Sequence, residues 1–201
     1  MSTSRCQLSP NRGRRKITSP PKTVLIVGAT GRQGRAVVSA LFLRSNFRIL
    51  ALTRNPSAAT SRALLNRRWT IEPVEALLEL VQGDLDKPKT MRKIFEAEGK
   101  GGIAAVFVAL AFPGLGARAD KEERQGIVSL LCTCSGMVNC GTKCKQLLAD
   151  LALEFGVSHF IFSSIERGGE GFDHMLTLDR AAKARIEQHM KGLTGRGLKW
   201  T

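Results

Sequence analysis

A chain of 201 residues, 43% of them hydrophobic, is long enough for one α/β domain with its own core. It has no apolar run of the roughly 18 residues that a membrane-spanning helix needs, and no apolar signal core near its start. The expected setting is therefore intracellular, in cytoplasm or nucleus, with cysteines reduced.

The formal net charge is +14 and is unevenly spread: residues 1–22 carry +6 without a single acid, and residues 23–201 carry +8. With its Ser, Pro and Gly and little to bury, the segment 1–22 reads as a disordered basic tail. Three readings of it stand open. It is a solvated arm, or a nuclear-import or nucleic-acid patch around Arg12–Lys16, or an Arg- and Ser-rich transit peptide. Its few apolar residues speak against the last.

The rest, 23–201, reads as one domain. Val24-Leu25-Ile26-Val27 is a β-branched run of the kind buried on both faces of a parallel sheet. Residues 33–44 then show helical spacing, with Val37, Val38, Leu41 and Phe42 near one face. A second strand is expected over 47–52. Asn55-Pro56-Ser57 marks a turn and a helix start, and 58–67 reads as helix. A third strand, 78–81, closes at Gly83-Asp84. Helix is expected over 87–98, with Met91, Ile94 and Phe95 inward, and a fourth strand over 103–110. Residues 160–162 form the heart of a fifth, 177–190 is a long helix, and Leu198-Lys199-Trp200 starts another strand. Strands alternating with helices predict right-handed βαβ units and a doubly wound parallel sheet of the Rossmann type, order 3-2-1-4-5, with ligands near the order reversal.

Gly28-Ala29-Thr30-Gly31-Arg32-Gln33-Gly34 joins the first strand to the first helix. In a dinucleotide-binding loop, Gly28 allows the sharp turn, Gly31 leaves room for the pyrophosphate and Gly34 lets the helix pack close to the sheet. The helix N-terminus adds about half a unit of positive charge. A branched side chain at Gly31 would invade the phosphate space and resist any positive φ the loop needs. The bland alternative is a glycine-rich turn without a ligand. NAD sites place an acid at the end of the second strand, whereas this chain has Thr53-Arg54-Asn55. A guanidinium there would grip a 2′-phosphate, which points to NADP(H) ahead of NAD(H). Otherwise Arg54 is a solvated surface arginine.

At T-V-L-I-V-G-A-T-G-R-Q-G-R, L-T-R-N-P, V-Q-G-D-L-D, H-F-I-F-S-S-I-E-R-G-G and K-A-R-I-E-Q-H the chain resembles the NmrA-like branch of the atypical short-chain dehydrogenase/reductases. The likeness covers most of 23–126 and 145–201. It implies binding of NADP(H) by a protein that is either a reductase, as in isoflavone-reductase-like members, or a regulator that senses nicotinamide redox state with a protein partner. It implies that Gly28, Thr30, Gly31, Arg32, Gln33 and Gly34 line the phosphates and that Arg54 meets the 2′-phosphate. By the same carry-over Asp84 and Leu85 lie beside the adenine, and Lys183 approaches the nicotinamide ribose as the one candidate catalytic residue. Asp84 reads equally as a turn residue, and Lys183 as a solvated helix lysine.

Two departures weigh against catalysis. The superfamily's reductases use a Tyr-x-x-x-Lys pair; this sequence contains no tyrosine, and Asp179 stands four residues before Lys183. Ser163 and Ser164 fall where the superfamily's catalytic serine lies and are expected to hydrogen-bond near the cofactor. His174 reads as an exposed loop histidine. The family pattern also continues past Thr201 into a carboxyl-terminal substrate domain, so the chain reads as truncated before it.

Cys132, Cys134, Cys140 and Cys144 are spaced C-x-C-x5-C-x3-C. That is cramped for a zinc site built from two knuckles, so no metal is expected. Residues 127–144 instead read as an insertion between two halves of a family helix, 122–126 and 145–152, of the kind left by a retained intron.

Overall fold

A computed structural model of the chain describes residues 20–44, 46–66, 77–110, 148–164, 171 and 178–201, and only the backbone of 178–182 and 185. The basic residues 5–16, the segment 127–144 with its four cysteines, and His174 lie outside the described residues.

Five strands form one parallel sheet: β1 (Lys22–Val27), β2 (Phe47–Thr53), β3 (Leu78–Gln82), β4 (Ile103–Val108) and β5 (His159–Phe162). Their order is β3-β2-β1-β4-β5, as the alternation of strands and helices predicts. The register pairs Leu25 with Leu50 on one side and with Val106 on the other. All three are fully buried, which is why the strands read as apolar runs without alternation.

The helices are α1 (Arg32–Phe42), α2 (Ala59–Leu65), α3 (Pro88–Glu98), α4 (Leu148–Glu154) and α5 (Leu178–Thr194). They divide between the sheet's faces. Val38 and Phe42 of α1 and Leu64 of α2 pack on Val24, Ile26, Ile49 and Ala51. Met91 and Phe95 of α3, Leu151 of α4 and Met190 of α5 pack on Leu25, Leu50 and Val106 from the other side. Alternate residues of β1 to β4 thus serve opposite cores.

Arg48 projects from β2 toward the α3 side. Its guanidinium donates to Glu98 at 2.7 and 2.9 Å and to Glu79 at 2.7 Å. These bonds, Glu79 first, hold its pKa above the ordinary arginine value and tie the edge strand to the end of α3.

Most expected elements are present, with shifted ends. β4 stops at Val108 rather than at Leu110, because its partner β1 ends at Val27 and turns away at Gly28; the Ala109 N–H makes the last bond, to the Val27 carbonyl. The long helix runs four residues past Met190 to Thr194, where Leu193 adds a buried side chain. Beyond it, Trp200 makes a single parallel bridge to Phe160 of β5. The Trp200 indole N–H donates to Thr194 Oγ1 at 2.9 Å and holds this segment against the helix end.

Candidate dinucleotide site

The carboxyl ends of β1, β2, β4 and β5 meet around the loop 28–34, at the point where the strand order reverses between β1 and β4. Such a crevice is where open α/β sheets bind ligands.

Two of the three glycines are demanded by the fold itself. Gly28 has φ +82°, and a Cβ on it would lie 2.2 Å from the carbonyl oxygen of Ala109. A Cβ on Gly34 would lie 2.1 Å from the carbonyl oxygen of Gly28, so the helix presses directly on the turn. Gly31 is different. Its φ of −76° and ψ of 172° are open to any residue, and a Cβ there would meet only Gly28 O, at 3.2 Å. The positive φ of the loop thus sits at Gly28; at Gly31 the backbone needs no glycine.

Gly31 is also the N-cap of α1, and no side chain caps that helix. The first intrahelical bond runs from Arg35 N–H to Gly31 O at 3.0 Å. The N–H groups of Arg32, Gln33 and Gly34 precede it and have no intrahelical acceptor. No acid occupies the first turn, and the side chains of Arg32 and Gln33 are exposed. Uncapped donors, the positive end of the helix dipole and an adjacent arginine make a place for an anion.

Arg54 follows β2 on a corner held by its neighbours. Asn55 Oδ1 accepts from Ser57 N–H at 3.0 Å. The Ser61 hydroxyl donates to the Asn55 carbonyl at 2.9 Å and lies 2.8 Å from Thr53 Oγ1. Gln82 Nε2 donates to the Arg54 carbonyl at 3.3 Å. The Arg54 side chain is exposed and pairs with no described carboxylate. Ser61 is buried and polar; its spacing three before Leu64, on the inward face of α2, was the signal for it, and sequence reasoning passed over it.

Asp84 is a turn residue, accepting from Asp86 N–H at 3.0 Å through Oδ1. Thr90 clamps the same turn, accepting from Asp84 N–H at 2.9 Å. Leu85 packs against the core on the α3 side. Arg54, Gly83 and Asp84 also line one end of a groove of about 640 Å³ that runs along β3 and α3 to Glu98; only that end belongs to the crevice.

At the end of β5, Ser163 Oγ donates to Gln33 Oε1 at 2.8 Å, joining two expected site residues 130 positions apart. Ser164 Oγ donates to Glu187 of α5. Lys183, half-buried, lies one helical turn before Glu187. Sequence reasoning did not single out Glu187, although its place four residues after Lys183 puts both on one side of the helix.

The model of the NmrA-like family matches residues 20–195. The chain belongs to the NmrA-like family. It is 27% identical over 177 residues to an NmrA-like family domain-containing protein of Dictyostelium discoideum, covering 86% of this chain and 46% of that protein. The chain thus spans about half the length of that relative. Among solved structures it is similar to NmrA, a negative transcriptional regulator in complex with NADP, with 21% identity and a TM-score of 0.55 over 91% of this chain and 44% of that one. It is also similar to a short-chain dehydrogenase/reductase from Burkholderia multivorans with bound NADP, with 18% identity and a TM-score of 0.61 over 90% of this chain and 77% of that one. At these identities the likeness to solved structures is one of fold. Among the described residues, no helix is long and apolar enough to cross a membrane.

Proposed function

We propose that this NmrA-like chain binds NADP(H) in the crevice at the carboxyl ends of β1, β2 and β5, and serves as a redox-sensing regulator that passes the nicotinamide state to a protein partner. The uncapped N-terminus of α1 carries the reading. Its N–H groups receive the pyrophosphate beside Gly28, Thr30 and Gly31, with Arg32 as counter-charge. Arg54 meets the 2′-phosphate, while Asp84 and Leu85 border the adenine. Gln33 lines the phosphates with Gly34, Ser163 stands beside the cofactor through its bond to Gln33, and Lys183 approaches the nicotinamide ribose. When bound, the cofactor supplies a redox state to be read; the chain supplies the pocket.

Titration calorimetry with NADP+, NADPH, NAD+ and NADH tests the reading, and tighter binding of the phosphorylated pair is expected. Arg54→Asp should weaken NADP(H) by several-fold to about a hundredfold, from about 1–3 kcal/mol for a charge-assisted contact, and should spare NAD(H). Equal losses for both pairs would remove Arg54 from the 2′-phosphate. The second reading, NADPH-dependent reduction of a small carbonyl compound, is favoured by Lys183 lying one turn from the Ser164–Glu187 contact. NADPH consumption that disappears in Lys183→Met would establish it.

A further inference from the structure

The chain's charge is segregated more sharply than its net value suggests. Residues 1–71 hold 14 lysines and arginines and no acid, while residues 72–201 hold 17 of each sign. The whole formal charge of +14 therefore belongs to the first 71 residues.

Folding turns this asymmetry in sequence into an asymmetry of surface. Among the described residues, the first 66 supply both helices that pack on one sheet face, α1 and α2. Every described carboxylate comes later, and the helical ones sit on α3, α4 and α5, which cover the opposite face. Glu79 of β3 is no exception. Leu78 and Leu80 join the α1–α2 core and Val81 the other, so by alternation Glu79 turns to the α3 side, where it pairs with Arg48. Arg35, Arg44 and Arg62 are exposed on the α1–α2 side, and none pairs with a described carboxylate.

Between these arginines the exposed residues of α1 and α2 are small or polar: Ala36, Ala40, Ala59, Thr60 and Ala63. Leu43, at 65%, is the one exposed large hydrophobic side chain among the described residues. A protein partner would want an apolar centre to bury, and a single leucine does not make one. Arginines on a smooth, acid-free helical surface suit a row of phosphates, which guanidinium groups bind through paired donors.

We propose that the α1–α2 face binds the phosphodiester backbone of nucleic acid, without reading its sequence, through Arg35, Arg44 and Arg62. These three lie outside the residues assigned to the dinucleotide, so the proposal stands apart from the cofactor reading.

The test is binding of the full chain to a short DNA duplex across a salt series. A variant with Arg35→Gln, Arg44→Gln and Arg62→Gln is compared with one carrying Lys89→Gln, Lys93→Gln and Lys100→Gln, which removes the same charge from the α3 side. Thermal melts check that both remain folded. The arginine variant should lose on the order of tenfold in affinity, and its slope of log K against log salt should flatten by about 2–3, at about 0.9 per phosphate contact. The lysine variant should keep the wild-type slope. Three results would overturn the proposal: equal flattening in both variants, an unchanged slope in the arginine variant, which would give the binding to residues 1–22, or binding to polyglutamate and not to DNA, which would make the partner an acidic protein.

Discussion

Gly34→Ala is expected to destabilise the fold by about 3 kcal/mol or more, a large part of the roughly 5–15 kcal/mol that holds a domain together. The added carbon would lie 2.1 Å from Gly28 O, 2.6 Å from Gly28 C and 2.7 Å from Ala29 Cα. All three are backbone atoms, so no side chain can swing aside. Relief requires α1 to move off β1, and that would open the packing of Val38 and Phe42, both fully buried. Propensity alone predicts the reverse, since alanine is favoured over glycine inside a helix by about 0.5–1 kcal/mol. Gly192 supplies the control. It lies inside α5, and a Cβ there would meet nothing within 4 Å. Gly192→Ala should raise stability by about that propensity difference. Urea denaturation of the two variants against wild type separates the effects by sign. If Gly34→Ala matched wild type, the close helix–strand approach would not be what requires glycine.

Gly31→Val should do the opposite, sparing the fold and removing the ligand. The backbone at Gly31 is extended, and the nearest obstacle to a Cβ is 3.2 Å away, so a side chain fits with a small adjustment. It would then stand over the free N–H groups at the start of α1. Two charge-assisted hydrogen bonds lost there, at about 1.5–3 kcal/mol each, correspond to a loss in NADP(H) affinity of about a hundredfold or more. Calorimetric titration beside a thermal melt gives both quantities. A folded variant with wild-type affinity would show that the loop does not carry the phosphates. Comparing the two glycines thus separates what the fold needs from what the ligand needs.

Sequence by itself determined the order and type of the elements, the strand order and the place of the glycine loop. The physical reason is that these are written in short-range patterns. A strand buried on both faces must be a short apolar run, as in Val24–Val27. A helix on a sheet must repeat its apolar side near every third or fourth residue, as in α1 and α3. Crossovers in parallel sheets have one hand, so the alternation left little choice of topology. The turn at Asn55 was legible for the same reason, because its side chain bonds its own neighbours.

Tertiary structure alone decided which distant residues meet. Nothing local announces that Ser163 bonds Gln33, that Ser164 bonds Glu187, or that Arg48 gathers Glu79 and Glu98 from two other elements. Those contacts depend on how far each helix slides along the sheet before its side chains lock, and that is set by packing across the whole core. The glycines show the same division. Sequence placed three in the loop, but only the folded chain assigned a positive φ and the approach of Ala109 to Gly28, the approach of the Gly28 carbonyl to Gly34, and no backbone demand for glycine to Gly31. The charged face belongs here too: its acid-free first third is visible in the sequence, yet it becomes a surface only because α1 and α2 pack on the same side of the sheet.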